Sequence, residues 1–226
     1  MNLFKRGMIF VTFFGSCLTI ALIVAAMGTK FWIVARARRL SNPEESNGKI
    51  NFGLFKGKKE LNVAYGWRTY EINIVEQLHA DREFLIYGLW VATIGCLCGA
   101  LLFSALSAVF AVINTASTPS GAITGVPGLY LWNTLAMFFD LAAVSLWAVQ
   151  FYQKLQYNVM SIEDRDNMWS SSQMSAFGYS FWFVVGAVVV HFVNIVVIYI
   201  GTSEGREKKV PQPMIEEKSN GAIMLY

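Results

Sequence analysis

Residues 7–29, GMIFVTFFGSCLTIALIVAAMGT, carry no charged side chain. A helix of about 20 apolar residues crosses the roughly 30 Å of hydrocarbon in a bilayer. Because the apolar character resumes after Lys30 as Phe31-Trp32-Ile33-Val34, we predict a first membrane-spanning helix over residues 7–34. A cleaved signal peptide with Lys5 and Arg6 as its basic region is the alternative. The run is longer than a normal signal core, which favours a retained span.

Three further uncharged segments predict three more spanning helices. No charge occurs between Glu83 and Asp140, and breakers at residues 115–121 and 125–127 divide this tract into two spans. Trp and Tyr residues cluster near the ends of the runs, as they do at membrane interfaces. We therefore predict an all-α membrane protein built as a four-transmembrane-helix bundle. The spans occupy residues 7–34, 84–114, 127–151 and 178–201, flanked by residues 1–6, 35–83, 115–126, 152–177 and 202–226.

The composition supports a lipid environment and argues against several classes of function. Charged residues make up 15% of the chain, whereas a soluble domain contains about a quarter. The net charge of +3 is small and the signs are interspersed, so we expect no nucleic-acid partner. The chain contains no HExxH, P-loop or dinucleotide-binding sequence, which predicts a protein that is not an enzyme and uses no cofactor.

The three cysteines lie inside apolar runs rather than in the polar loops. Cys17, Cys96 and Cys98 therefore provide no disulfide framework for the loops. A metal site would need further ligands beside them, and we expect none.

The long first loop shows strand patterns. Ile50, Phe52 and Leu54 alternate with polar residues, and so do Leu61, Val63, Tyr65 and Trp67. Residues 47–48 and 56–59 have turn composition, and residues 71–83 read as a helical approach to the second span. We predict a small antiparallel β-sheet in this loop. The tail at residues 202–226 has mixed charge and two prolines, so we expect it to be disordered.

The distribution of basic residues leaves the orientation in the membrane undecided. The side with both termini carries six basic residues: Lys5, Arg6, Arg206, Lys208, Lys209 and Lys218. The opposite side carries the other twelve of the 18, most of them in the first loop. The positive-inside rule therefore favours external termini, but it weighs long loops poorly.

Four polar residues inside the third and fourth spans are candidates for a shared site. Asp140 is a carboxylate near the centre of the third span, and Asn133 lies seven residues earlier on the same face. His191 and Asn194 share a face of the fourth span. Because an unpaired intramembrane carboxylate is costly, we predict a polar clasp in which Asp140 meets His191. A proton or ion pathway and unrelated positions are the alternatives.

Small residues in the second span predict close helix packing. Gly88, Ala92, Gly95 and Gly99 include a small-xxx-small pair at Gly95 and Gly99. We expect packing within the chain, with an oligomer seam or a partner helix as the alternative. The sequence does not decide the oligomeric state.

The last residues have the form of a partner motif. Met224, Leu225 and Tyr226 place apolar side chains at the final position and two before it, a pattern that a PDZ domain captures by strand addition. An inert end is the alternative.

The arrangement resembles the clarin family, within the claudin-like and stargazin-like four-span proteins. Several segments carry the resemblance, and their order and spacing are more specific than any one of them. They are Trp32 after the first span, Phe52-Gly53-Leu54-Phe55-Lys56-Gly57, Gly128-Leu129-Tyr130-Leu131-Trp132-Asn133 after Gly125-Val126-Pro127, Ser180-Phe181-Trp182, His191-Phe192-Val193-Asn194 and the final Met224-Leu225-Tyr226.

The resemblance implies a plasma-membrane protein with cytosolic termini that organises membrane complexes and supports sensory cells, at the hair bundle, the synapse and the actin cortex. An auxiliary subunit of an ion channel, as in the stargazin-like branch, and a claudin-type adhesion protein are the alternatives. Vertebrate clarins usually have loop cysteines and a glycosylation sequon. Both are missing here, since no cysteine lies in a loop and no asparagine has Ser or Thr two positions later, which indicates a divergent or invertebrate member.

Overall fold

Four long apolar helices dominate the fold. The computed structural model describes residues 3–62, 66–117, 119 and 121–203. Four of its helices are long and apolar enough to cross a membrane, which confirms the predicted fold class. The helices are α1 Leu3–Gly28, α2 Ile74–Ala80, α3 Tyr87–Ala116, α4 Val126–Gln150, α5 Ile162–Asp166 and α6 Tyr179–Ser203, and α4 continues into a π-helical turn at Phe151–Leu155.

The long helices pack in the order α1, α3, α4, α6, and α6 returns to α1. Glycines let α1 and α6 approach closely at two levels. A Cβ atom on Gly201 would lie 2.8 Å from the Cβ of Met8, whereas one on Gly186 would make only an ordinary contact of 3.7 Å with Leu22. Between them, a Cβ atom on Gly15 would overlap the amide of Asn194. The side chains of one helix therefore fill the space that the glycines of the other leave open.

A six-stranded antiparallel sheet lies between α1 and α3 and also takes strands from the second long loop. Its order is β4-β3-β2-β1-β5, and β6 also pairs with β1. The predicted sheet in the first loop is therefore confirmed. The strands are β1 Ile33–Arg39, β2 Gly48–Phe52, β3 Lys56–Asn62, β4 Trp67–Asn73, β5 Trp169–Ser170 and β6 Ser175–Phe177.

The first helix ends earlier than predicted. It stops at Gly28 rather than at residue 34, and Ile33 already begins β1. The backbone N–H of Trp32 donates to the carbonyl of Phe52 over 3.0 Å, which commits this segment to the sheet. The start of β1 is apolar like the span before it, so the sequence pattern does not distinguish the two on either side of Lys30.

Three parts of the loop prediction differ from the structure. Residues 56–59 form the start of β3 rather than a turn, and Leu61 and Trp67 lie in two different strands rather than in one. Val63 and Tyr65 lie outside the described residues. Residues 71–83 are helical only over Ile74–Ala80. Buried Gly57 and Leu61 place one face of β3 against the core, while Lys56 and Lys58 lie on the other face. The lysine-rich composition of this strand is what suggested a turn.

The remaining spans differ from the prediction at their ends. The second helix begins at Tyr87 rather than at residue 84, because Phe84 and Leu85 are buried in the core under the sheet. The third begins at Val126, and its π-helical turn carries it to Leu155 rather than to residue 151. The fourth runs over Tyr179–Ser203 instead of residues 178–201.

Candidate functional site

Each of the four long helices sends polar side chains into the interior of the bundle. All of them are at most 3% exposed, so they lie away from lipid and from water. Their partners must come from the protein, since burying an unpaired polar group is costly. They are Thr12 and Ser16 on α1, Ser104 and Ser107 on α3, Asn133 and Asp140 on α4, and His191 and Asn194 on α6.

Asn133 lies at the centre of this polar network. Its Nδ2 donates to the backbone carbonyl of Leu129 over 2.9 Å and to the hydroxyl of Ser107 over 2.7 Å. A carbonyl only accepts, so these contacts fix the orientation of the amide. The Oδ1 atom therefore faces α6, 3.2 Å from His191 Nδ1 and 3.2 Å from Asn194 Nδ2.

The amide of Asn133 also fixes the tautomer of His191. Because Asn133 Oδ1 is an acceptor, the Nδ1 atom of His191 carries a hydrogen and donates to it. In a neutral imidazole the Nε2 atom is then an acceptor, and the hydroxyl of Ser104 lies 3.0 Å away to donate to it. His191 thus connects α6 to α4 on one side and to α3 on the other.

Asp140 lies beside His191 but is not hydrogen-bonded to it. The shortest approach is 3.7 Å, between His191 Nε2 and Asp140 Oδ2. Neither carboxyl oxygen has a hydrogen-bond partner among the described residues. In the neutral tautomer Nε2 has no hydrogen to offer, so only a doubly protonated ring would donate toward the carboxylate. The structure brings the predicted pair together, while the hydrogen bonds of His191 go to Ser104 and Asn133.

Ser16 and Asn194 bring α1 into the network. Ser16 Oγ lies 3.0 Å from Ser107 Oγ, and Asn194 Nδ2 lies 3.5 Å from both Ser16 Oγ and the Thr12 carbonyl. The hydrogen bonds therefore run without interruption from α1 through α3 and α4 to α6. Sequence reasoning identified the four members on α4 and α6 but missed those on α1 and α3. The available signal was that Ser104 and Ser107 are spaced three apart on one helix face.

The predicted packing stripe on α3 is only partly a contact within the chain. A Cβ atom on Gly99 would lie 2.9 Å from the ring of Phe139 on α4, which makes this a close approach. At Gly88 and Gly95 a Cβ atom would meet nothing within 4 Å, and both residues are exposed. Ala92 is half-buried. The expectation that Gly95 packs inside the chain was therefore wrong, because α3 turns that face outward.

Motif residues from the ends of the first and fourth spans join the sheet to the helices. Trp32 is fully buried, and its indole N–H donates to the Ala26 carbonyl over 2.7 Å. The hydroxyl of Ser180 lies 2.7 Å from that of Thr29. Phe181 is buried and its ring packs edge to face near Trp32. Trp182, the next residue, is exposed on the outer face of α6.

The first-loop motif, on the sheet, also joins the sheet to the helices. Gly53 lies so close to the Thr29 carbonyl that a Cβ atom would overlap it. Leu54 is fully buried, and its carbonyl accepts a hydrogen bond of 2.8 Å from the indole of Trp90. Gly57 packs against Phe52, whereas Phe55 is exposed.

The third-span motif caps the opposite end of the bundle. Gly128 has no room for a Cβ atom beside the Ile123 carbonyl. Trp132 stacks on Phe103 and Phe110, with ring centroids 6.0 and 5.9 Å away.

The described ranges contain no group of three His, Cys, Asp or Glu side chains placed to hold a metal ion. Met224, Leu225 and Tyr226, the predicted partner motif, lie outside the described residues.

Comparison with known proteins matches the amino-acid sequence to one family. A sequence profile of the family described as Clarin-2-like matches residues 4–198. The chain belongs to the clarin family. Clarin-3 of Homo sapiens is 24% identical over 97% of this chain and 98% of its own length. Clarin-3 of Mus musculus is 26% identical over 96% of this chain and 94% of its own length. Clarin-2 of Homo sapiens is 27% identical over 78% of this chain and 72% of its own length.

These identities confirm the resemblance and mark the chain as a divergent clarin. The match runs from α1 to α6, so it includes the sheet, the polar network and most of the motif residues. Family membership and the four apolar helices together make the chain a multi-pass membrane protein.

Proposed function

We propose that this clarin-family chain is a non-enzymatic organiser of complexes in the plasma membrane, and that it supports sensory cells. One observation carries the proposal. The polar side chains inside the bundle bond to one another across all four helices, from Ser16 to His191. Interior groups that satisfy one another hold the bundle together, which leaves its outer surfaces for partners.

The outer surfaces offer two kinds of contact. Gly88 and Gly95 give α3 a flat face on which another helix can approach closely. The sheet presents a polar face built from both loops. A tail motif at Met224, Leu225 and Tyr226 adds a cytosolic PDZ-type partner to the same proposal.

The test is proximity labelling from the tail in native sensory tissue, combined with purification of the intact complex. We expect membrane scaffolds and actin-cortex proteins among the labelled partners. Gly95→Leu is the variant that blocks the α3 face, and Val109→Leu, an exposed position on the same helix, is its matched control. We expect the complex to shrink only with Gly95→Leu.

Two other results would replace the proposal. Stoichiometric purification with a pore-forming subunit would make the chain an auxiliary channel subunit. Enrichment at cell contacts together with adhesion between opposing cells would make it a claudin-type protein.

The proposal includes an orientation with both termini in the cytosol and the sheet outside the cell. It follows the family architecture rather than the count of basic residues. Epitope tags at each end should stain only after permeabilisation, while a tag inserted at residue 42 in the β1–β2 loop should stain intact cells. Staining of a terminal tag on intact cells would reverse the orientation.

A further inference from the structure

The open face of the sheet carries a group of basic residues with an unfavourable arrangement. Arg36 and Arg38 alternate with buried Ala35 and Ala37, so both point away from the core. Arg36 lies directly opposite Lys49 in the register of β1 and β2. Like charges directly opposite one another destabilise a sheet. This arrangement therefore has no explanation in the stability of the sheet.

Neighbouring carboxylates do not neutralise these cations. Glu60 lies opposite Lys49 on β3 but bonds to Lys58 over 2.5 Å, and this contact raises the pKa of Lys58. Glu71 bonds to Lys30 over 2.6 Å, which lowers the pKa of the Glu71 carboxyl. Within the part of the chain that the structure describes, Arg36, Arg38 and Lys49 form no ion pair.

The two arginines line a pocket rather than a flat surface. The β1–β2 loop folds over the end of the strands and is held there by Ser46, which accepts from the Arg39 N–H over 2.8 Å and donates to the Asn42 carbonyl over 2.7 Å. The pocket is a half-open cleft with a volume of about 560 Å³, a size within the range of small-ligand sites. Its lining consists of Arg36, Arg38, Pro43, Glu44, Ser46 and Asn47. Glu44 is the acidic member, and its carboxylate is not ion-paired with either arginine.

An exposed aromatic ring extends this surface across the sheet. Trp67 on β4 is 52% exposed, and the Lys49 ammonium lies 6.0 Å from its ring centroid. An indole face beside cations suits a ligand with both anionic groups and apolar C–H faces. Sugar rings that carry sulfate or carboxylate groups have this combination.

The position of the pocket favours a ligand from outside the membrane over a lipid headgroup. Ile33 at the start of β1 and Phe52 at the end of β2 are the strand residues next to the membrane helices. The hydrogen bond from the Trp32 N–H to the Phe52 carbonyl holds them there. Arg36 and Arg38 are three and five residues further along β1, which is about 10 and 17 Å at roughly 3.3 Å per residue. The polar headgroup layer of one leaflet is only about 5–7 Å thick.

We propose that this basic face, formed by Arg36, Arg38, Lys49 and Trp67 with the adjoining pocket, binds a sulfated polysaccharide. The guanidinium groups of Arg36 and Arg38 hold sulfate oxygens in the pocket, and Trp67 stacks on a sugar ring. Arginine suits this role because its planar donors pair with oxyanions two at a time. The site requires the sheet to lie outside the cell, as in the proposed orientation.

The test measures binding of a heparin octasaccharide to the full chain in nanodiscs of neutral lipid. We expect Arg36→Gln with Arg38→Gln to weaken binding at least tenfold. The matched control is Arg68→Gln with Arg82→Gln, which removes the same amount of charge away from the proposed site, since Arg68 lies on the opposite face of the sheet. This control should change binding less than threefold. Trp67→Ala should weaken binding about threefold, and Arg36→Lys with Arg38→Lys should fall between wild type and the glutamine variant.

Several results would overturn the proposal. Equal losses in the two glutamine variants would show unspecific charge attraction. Undiminished binding of a desulfated octasaccharide would remove the role of the sulfates. Selective binding to nanodiscs with anionic lipid, without binding of heparin, would assign the cations to headgroups. A circular dichroism melting curve for each variant shows whether the fold is retained, and the lysine variant provides the comparison if the glutamine variant unfolds.

Discussion

At the level of single residues, the contact between Gly15 and Asn194 sets how closely α1 and α6 approach. The carboxamide of Asn194 occupies the position that a Cβ atom on residue 15 would take. The same amide donates toward α1 and to Asn133, so it cannot turn away without losing those bonds. A glycine is therefore required here for a steric reason.

We expect Gly15→Ala to destabilise the bundle by about 1–3 kcal/mol, as overpacking of a tight core does. Gly7→Ala is the control on the same helix, because a Cβ atom there meets nothing within 4 Å. It should be neutral or slightly stabilising, since alanine favours a helix over glycine. Thermal unfolding in detergent compares the two. Equal stability of both variants would contradict the steric argument.

A second prediction distinguishes Asn133 from Asp140. Hydrogen bonds between membrane helices average about 0.6 kcal/mol, and Asn133 makes three of them, to Ser107, His191 and Asn194. Asn133→Leu should therefore lower the free energy of unfolding by about 2 kcal/mol. Asp140→Leu should cost less than about 1 kcal/mol, because neither of its oxygens accepts a hydrogen bond among the described residues. Denaturant titration of both variants and of Asp140→Leu with His191→Leu measures the coupling. A coupling above 1 kcal/mol would support the direct Asp140–His191 clasp instead.

The sequence contained part of this network. Charge and depth identify Asp140 and His191, because such residues are rare inside a span. Ser16, Ser104 and Ser107 were not predictable, since a serine in a helix can also bond to its own backbone and needs no partner. The choice of Ser104 over Asp140 as the partner of His191 depends on helix rotation, which the sequence leaves undetermined.

At the level of elements, α3 has two faces of opposite character. Gly99 faces α4 and touches Phe139, while Gly95 faces outward. We expect Gly99→Leu to force α3 from α4, destabilising the chain by about 1–3 kcal/mol and reducing delivery to the cell surface. Gly95→Leu should leave the stability of the isolated chain within about 0.5 kcal/mol. Surface biotinylation and thermal unfolding test the pair, and a loss of stability with Gly95→Leu would contradict the assigned rotation of α3.

The same small-residue pattern predicted both contacts, although only one occurs within the chain. A small-xxx-small pair indicates a face that permits close approach but not which neighbour uses it. Strands were harder to predict than helices for a related reason. In β3, alternation is visible only at Gly57 and Leu61, and the lysines between them suggest a turn.

At the level of the whole molecule, the two long loops form one unit. Lys59 on β3 bonds to both carboxyl oxygens of Asp164 on α5, at 2.7 and 2.6 Å, and both side chains are largely buried. We expect Asp164→Asn to lower the free energy of unfolding by about 2 kcal/mol, because the nearly buried ammonium of Lys59 loses its charged partner. Hydrogen exchange should rise in α5 and in β3. Lys58→Gln, which removes an exposed ion pair, is the control and should have little effect. Unchanged exchange in Asp164→Asn would mean that the loops are held by the strands alone.

The strands from the second loop also determine when the sheet can be completed. β5 and β6 pair with β1 but are synthesised only after α3 and α4, immediately before α6. During translation the amides and carbonyls along that edge of β1 therefore stay open while two further spans are inserted. An open strand edge is a surface on which chaperones act and chains associate. A chain cut short by a stop codon before residue 169 would keep this edge permanently, so we expect the endoplasmic reticulum to retain and degrade it even though three of its spans are intact.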